Sequence, residues 1–167
     1  MKKIITLSIV LLLALAAVAA EEVFFSANDL DVATYTSPVT IDGFTLNGSE
    51  SKAIDVQEMD ERTAEDGEIF NNRIKLNGAG KKDLLSITFN AKKGQTVRVY
   101  LNSSSKTDER VINLFTPTDA TPIATIPAPP ATSDMTVGMG EFKIEKGGTY
   151  TIGSAKSGIY IYAIVIE

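Results

Sequence analysis

Apolar and polar residues alternate with a period of two through residues 68–115, and this alternation is the strongest constraint on the fold. It is clearest at residues 73–76, 85–90 and 97–102, and turn-forming segments lie between these runs. A period of two is typical of strands that have one buried face and one solvent face. The segment therefore predicts a series of short antiparallel strands.

Similar short runs flank this segment and predict further strands. The predicted runs are residues 23–25, two strands around a turn at Asp42-Gly43, and residues 53–56, 141–144 and 149–152. Residues 158–167 are dense in isoleucine, tyrosine and valine, which indicates a central strand buried on both faces. Residues 57–67 are acidic and rich in turn formers, so a surface loop is predicted there.

Residues 116–140 contain five of the six prolines, which predicts an extended loop. An edge strand at residues 123–126 is compatible with this composition, but it should end before Pro127. Nine or ten short strands without a helical period predict an all-β protein. The expected architecture is an antiparallel β-sandwich of the jelly-roll or immunoglobulin-like type.

The first twenty residues have the pattern of a signal peptide. Lys2 and Lys3 precede an apolar run at residues 4–16, and small residues follow at 17–20. A transmembrane anchor is the alternative, but the apolar run is shorter than the roughly 20 residues that a membrane span needs. We expect a bacterial protein exported to the periplasm or the extracellular space, with residues 21–167 as a single domain.

The charge balance argues against several partners. The chain has 16 basic and 21 acidic residues, and removal of Lys2 and Lys3 leaves a net charge of −7. Nucleic acids and anionic membrane surfaces are therefore not expected partners. The absence of cysteine excludes disulfides, so the apolar core must supply the stability.

Catalytic chemistry is not expected either. The chain has no His and no Cys, so the usual catalytic triads cannot form and zinc lacks its preferred ligands. The acidic pairs of residues 57–67 are neighbours in a predicted loop and do not face each other across a cleft, as a glycosidase requires. We predict no catalytic residue, no metal site and no cofactor. A structural calcium ion, held by this loop or by Asp29, Asp31 and Asp42, is an open alternative.

Four cations are the candidate binding residues. Arg73 and Lys75 lie on the outward face of one predicted strand, Arg110 opens another strand, and Lys156 precedes the last strand. An arginine fork pairs bidentately with a carboxylate, and a lysine adds a point charge. The pattern alone does not decide whether these cations bind a ligand or the protein's own excess of Asp and Glu.

Three runs of sequence carry strand and turn motifs of a known family. They are residues 71–80 (NNRIKLNGAG), 100–115 (YLNSSSKTDERVINLF) and 147–167 (GGTYTIGSAKSGIYIYAIVIE). Together they resemble the pectin-binding carbohydrate-binding modules of family 77, although residues 116–140 do not align with the family. The resemblance implies a β-sandwich that holds the carboxylates of homogalacturonan through basic side chains. It implies ligand contacts at Lys75, Arg110 and Lys156, with Arg73 next.

The resemblance leads us to expect a secreted, non-catalytic module that binds acidic plant cell-wall polysaccharide through a basic patch. A secreted pectinase is the expected companion. A secreted structural or cell-surface interaction protein on the same scaffold is the second interpretation. An enzyme, such as a lyase that uses Arg or Lys as its base, is the third.

Overall fold

The fold is known from a computed structural model that describes residues 22–119, 121–132, 134 and 136–167. The predicted signal peptide, residues 1–20, lies outside the described residues. No helix within the described ranges is long and apolar enough to cross a membrane.

A short 3-10 helix (Ala27–Asp29) follows the first of thirteen strands in this part of the chain. The strands are β1 Val23–Ser26, β2 Ala33–Tyr35, β3 Val39–Ile41, β4 Phe44–Asn47, β5 Ile54–Ala64, β6 Ile69–Leu76, β7 Ser86–Ala91, β8 Thr96–Ser103, β9 Arg110–Phe115, β10 Ala124–Ala128, β11 Thr136–Lys143, β12 Gly148–Ser154 and β13 Ile159–Ile166.

The strands form two sheets, which we name sheet A and sheet B. Sheet A has the order β1-β13-β6-β5-β11-β8, with β2 paired to β5, and sheet B has the order β10-β9-β12-β7-β4-β3. All pairings are antiparallel except the short one between β11 and β5. The predicted all-β, antiparallel sandwich is therefore confirmed. In sheet A, β13 also pairs with β8, so β13, β6, β5, β11 and β8 form a closed ring of hydrogen-bonded strands.

Two apolar clusters stabilise the fold. The main core contains residues from both sheets, such as Leu46, Ile87 and Ile152 of sheet B and Val99 and Ile164 of sheet A. The second cluster takes residues from all five strands of the ring and consists of Ala64, Phe70, Tyr100, Val137, Tyr162, Ala163 and Val165. Because β13 contributes to both clusters, it is buried along almost its whole length. This confirms the prediction of a central strand at the end of the sequence.

The predicted loop at residues 57–67 is wrong, because β5 continues to Ala64. The strand is paired with β6 on both sides of an irregularity between Glu58 and Arg62. That irregularity interrupts the alternation after Ile54 and Val56, and the solvent face carries acidic residues. The strand therefore lacks the regular apolar row by which the other strands are recognised.

The prediction that a strand at 123–126 ends before Pro127 is also wrong. β10 extends through Pro127, which is opposite Val111 of β9. β10 is at the edge of sheet B, where one side of the strand has no partner and a proline is tolerated. The predicted turn at Asp42-Gly43 is confirmed, since both residues have positive φ angles, 49° and 83°, between β3 and β4.

Candidate functional site

Two of the four predicted cations line one groove. Arg110, at the start of β9, and Lys156, in the loop between β12 and β13, line a groove of about 470 Å³. The two segments are held together because the Ala155 amide donates a hydrogen bond to the Val111 carbonyl over 2.9 Å. The other lining residues are Asp108, Glu109, Val111, Ala155 and Ser157. We call this site the Arg110–Lys156 groove.

The guanidinium of Arg110 is fixed by one of its nitrogens. Its Nη1 donates to Ser104 Oγ over 2.6 Å and to the carbonyl oxygen of Gly158. A Cβ atom at position 158 would lie 2.5 Å from Ser104 Oγ, so the close approach depends on glycine. Nε and Nη2 of Arg110 make no hydrogen bond to any described residue. That edge of the guanidinium is the fork that pairs bidentately with carboxylates.

The groove also contains acidic side chains, and Asp108 is already engaged within its own loop. Its carboxylate accepts hydrogen bonds from Ser105 Oγ at 3.1 Å and Thr107 Oγ1 at 3.2 Å. Glu109 is exposed beside it. Neither carboxylate forms an ion pair with Arg110 or Lys156. The negative charge of Asp108 and Glu109 nevertheless weakens the attraction of the groove for an anion.

The ion pairs of the described chain involve a different arginine. Both are made by Arg98 of β8, whose Nε is 2.8 Å from Glu141 Oε1 and whose Nη2 is 2.7 Å from Glu167 Oε1. The hydrogen bond to Glu141 raises the pKa of the Arg98 guanidinium above its ordinary value. None of the four predicted cations pairs with a carboxylate among the described residues. The interpretation that they pair with the protein's own acidic residues therefore has no support in these contacts.

Lys75 and Arg73 lie together on β6, in sheet A. Lys75 is in register with Asp55 of β5 and with Tyr160 of β13. The guanidinium carbon of Arg73 lies 4.0 Å from the centroid of the Tyr160 ring. Nε and Nη2 of Arg73 donate to Gln57 Oε1 over 3.3 and 3.1 Å. The Nε–Nη2 edge of Arg73 is therefore bound within the protein, whereas the same edge of Arg110 has no partner among the described residues.

The strand β13 connects the two pairs of cations. Arg110 binds the carbonyl of Gly158, and Tyr160, two residues further on, is the neighbour of Lys75 and Arg73. Lys75 is not one of the residues that line the Arg110–Lys156 groove. The structure thus brings Arg110 and Lys156 together. The convergence of all three predicted ligand contacts on one face stays a prediction.

Ser104 and Gly158 are positioning residues that the sequence analysis did not identify. Ser104 belongs to the serine-rich turn before β9, and its amide also donates to the Gly158 carbonyl over 3.1 Å. The serine run and the glycine before the last strand are visible in the sequence. Their partnership is not, because 54 positions separate the two residues along the chain.

The described residues contain no group of three or more acidic side chains placed to hold a metal ion. Asp29, Asp31 and Asp42 do not form such a group, and neither does the acidic segment 57–67. Calcium also binds backbone and amide oxygens, so the structural calcium ion stays an expectation from the sequence.

No protein-family model matches the sequence, and no curated protein matches it. Several solved carbohydrate-binding modules have a similar overall structure. One is a family 35 module from Clostridium thermocellum, with 9% identity and a TM-score of 0.49 over 88% of this chain and 98% of that one. Another is the module CBM6cm-2 from Cellvibrio mixtus lichenase 5A in complex with cellotriose, with 13% identity and a TM-score of 0.45 over 87% and 95%. A third is CBM51 from Clostridium perfringens GH95 in complex with methyl-galactose, with 9% identity and a TM-score of 0.44 over 87% and 100%.

These likenesses are distant, and no site residue or ligand is transferred from them. The strand pairing described above defines the chain as an all-β, two-sheet sandwich protein. The resemblance to the pectin-binding modules stays an expectation from sequence, since no family match accompanies it.

Proposed function

We propose that the chain is an exported, non-catalytic protein that binds acidic polysaccharide at the Arg110–Lys156 groove. The observation that supports this most directly is the position of Arg110. Its guanidinium is anchored through Nη1, and its Nε–Nη2 edge has no partner among the described residues. Lys156 lines the same groove.

The ligand chemistry follows from these two side chains. The Arg110 fork donates two hydrogen bonds to one uronate carboxylate, and the Lys156 ammonium binds a neighbouring carboxylate as a point charge. The sugar hydroxyls bind to the polar atoms of the loops around them. Homogalacturonan, which presents a carboxylate on each unesterified sugar, is the ligand that the sequence resemblance suggests.

Lys75 extends the proposed binding surface beyond the groove. It lies on β6 beside Tyr160, and Arg73 fixes the Tyr160 ring by stacking on it. There, beside the half-buried Tyr160, Lys75 is proposed to bind a further carboxylate of the same polysaccharide. Arg73 supports this surface by packing, because its fork is bound to Gln57.

Binding without catalysis fits the acidic residues of the groove. A glycosidase needs two carboxylates on opposite sides of the scissile bond. Asp108 and Glu109 are consecutive in one loop, and the Asp108 carboxylate is bonded to Ser105 and Thr107. The protein is proposed to act beside a secreted pectinase, which would supply the chemistry.

Isothermal titration calorimetry with polygalacturonate and with highly methyl-esterified pectin tests the proposal. Solvent-exposed ion pairs contribute roughly 0 to 1 kcal/mol each, so the affinity for polygalacturonate should be modest. It should fall between 0.1 M and 1 M salt, because the Debye length shortens from about 10 Å to about 3 Å. Esterification should weaken it further. An affinity that changes with neither salt concentration nor esterification would exclude the proposal. It would favour the second interpretation, a structural or cell-surface interaction protein on the same scaffold.

A further inference from the structure

The outer face of sheet B carries a row of four threonines. Thr40 of β3 is in register with Thr45 of β4, Thr45 with Thr88 of β7, and Thr88 with Thr151 of β12. Their neighbours along each strand, such as Leu46 and Ile87, belong to the main core. Because side chains alternate across a strand, the threonines point away from that core. Neighbouring strands are about 4.8 Å apart, so the row spans about 14 Å.

The hydroxyls of the row are held in a fixed pattern. Thr40 and Thr45 share a hydrogen bond of 2.9 Å between their Oγ1 atoms, and Thr88 and Thr151 share another of 2.9 Å. Asn47 Nδ2 donates to Thr88 Oγ1 over 2.8 Å. Each hydroxyl has one proton and two lone pairs, so these bonds leave capacity for a ligand. The side chains are thus ordered before any ligand binds.

A groove of about 370 Å³ lies along three threonines of this row, Thr45, Thr88 and Thr151. Its floor consists of Thr45, Asn47, Thr88, Thr149 and Thr151, and its rim of Lys82, Asp83 and Pro117. Lys82 Nζ donates to the Pro117 carbonyl over 2.6 Å, which joins two sides of the rim. We call this site the threonine groove.

The four strands that carry the row contain no charged residue in their described sequences. In sheet A, by contrast, β5 alone carries Asp55, Glu58, Asp60, Glu61 and Arg62. The high strand propensity of threonine explains a threonine at any single position. It does not explain why, in a protein with 37 charged residues, these four neighbouring strands carry no charge.

We propose that the threonine groove is a second binding site, which takes a neutral polysaccharide. Sugar hydroxyls are donors and acceptors, as are the threonine hydroxyls, so the two surfaces match without any net charge. Asn47 offers its Oδ1 as an acceptor, because its Nδ2 already donates to Ser86 and Thr88. A protein partner fits less well, because protein interfaces are rich in aromatic residues, Met and Arg, and none of these lines the groove. The inference is independent of the function proposed for the Arg110–Lys156 groove.

Binding to immobilised neutral polysaccharides (amorphous cellulose, xylan and galactan) in 1 M NaCl tests this site, because that salt concentration suppresses ionic binding. We expect the full chain to bind at least one of them. Thr45→Val and Thr88→Val keep the branched shape and remove the hydroxyl, and each should weaken binding about fivefold. Thr149→Val, at an exposed position of the groove, provides a third variant if Thr88→Val does not fold.

Two controls separate this site from the charged groove. Thr63→Val makes the same change at an exposed position on β5 and should leave neutral binding unchanged. Lys156→Ala should weaken polygalacturonate binding at 0.1 M salt but leave neutral binding at 1 M salt intact. The proposal is overturned if no neutral polysaccharide binds in 1 M NaCl, or if the threonine variants bind as well as wild type.

Discussion

The hydroxyl of Tyr100 donates a hydrogen bond to Asp66 Oδ2 over 2.5 Å. Tyr100 is on β8 and belongs to the second apolar cluster, whereas Asp66 is in the turn between β5 and β6. The bond lowers the pKa of Asp66 below its ordinary value. Burial, and then the bond to Asp66, raises the pKa of Tyr100 to about 12. This contact fixes the turn of the β5–β6 hairpin against β8 across the ring of strands.

Asp66→Asn should destabilise the fold at neutral pH by about 1 kcal/mol or less, since the lost carboxylate is exposed to solvent. Because the pKa of Asp66 is lower in the folded state, its contribution is present above about pH 4 and is lost as the pH falls below that value. Urea unfolding at pH 7 and pH 3 measures this. Tyr100→Phe removes the same bond. The double variant should therefore be no less stable than the less stable of the two single variants. Additive losses would mean that the contact does not stabilise the fold.

The burial of Tyr162 predicts that the protein loses stability at alkaline pH. Its side chain is fully buried, its hydroxyl has no described partner, and burial raises its pKa to about 12. Its contribution is fully present below about pH 10 and is lost as the pH rises toward 12. Tyr162→Phe should therefore leave the free energy of unfolding nearly unchanged at pH 7. Between pH 10 and 12 the free energy of unfolding should fall by about 2 to 3 kcal/mol less in this variant than in wild type. Chemical denaturation across this range is the measurement. Parallel profiles for the two proteins would contradict it.

The sheets were predictable from sequence where the strands alternate regularly. β6, β7 and β8 were recognised because residues such as Ile74, Ile87 and Val99 repeat every second position and face the main core. Only the start of β5, at residues 53–56, was recognised, because its register shifts between Glu58 and Arg62 and its outer face is acidic. The ring of sheet A was not predictable, since it depends on β13 pairing with β6 along one edge and with β8 along the other.

The candidate site was predictable only as a set of residue types. Arginine and lysine near strand ends indicate carboxylate binding, and this applies equally to Arg73 and Arg110. Only the contacts distinguish the two, because Gln57 occupies the fork of Arg73 and no described residue occupies that of Arg110. The threonine groove was missed because its floor comes from three strands, β4, β7 and β12, that are distant in sequence.

Gly158→Ala should reduce polygalacturonate binding without unfolding the protein. The new Cβ would lie 2.5 Å from Ser104 Oγ, and Ser104 can relieve the clash by rotating its side chain. That rotation breaks its hydrogen bond to Arg110 Nη1 and leaves the guanidinium held by the carbonyl of residue 158 alone. We expect a stability loss of about 1 kcal/mol, from one hydrogen bond, and weaker binding. Calorimetry and thermal unfolding measure the two effects, and unchanged affinity would show that the anchor of Arg110 does not serve binding.

Lys156→Ala and Arg110→Lys should weaken binding to polygalacturonate for different reasons. Lys156→Ala removes an exposed charge worth up to about 1 kcal/mol, so affinity should fall up to about fivefold at 0.1 M salt and less at 1 M. Arg110→Lys keeps the charge but removes the fork, so its loss of affinity should persist at high salt.

The matched control is Lys93→Ala, which removes one exposed lysine from the turn between β7 and β8. That turn leads into Thr96, which is bonded to Glu167 at the far end of β13 from Gly158. Eight strand residues span about 26 Å, which exceeds the Debye length of about 10 Å at 0.1 M salt. Lys93→Ala should therefore bind like wild type, although it changes the net charge by the same amount as Lys156→Ala. An equal loss of affinity in both alanine variants would show that the ligand responds to overall charge and not to the Arg110–Lys156 groove.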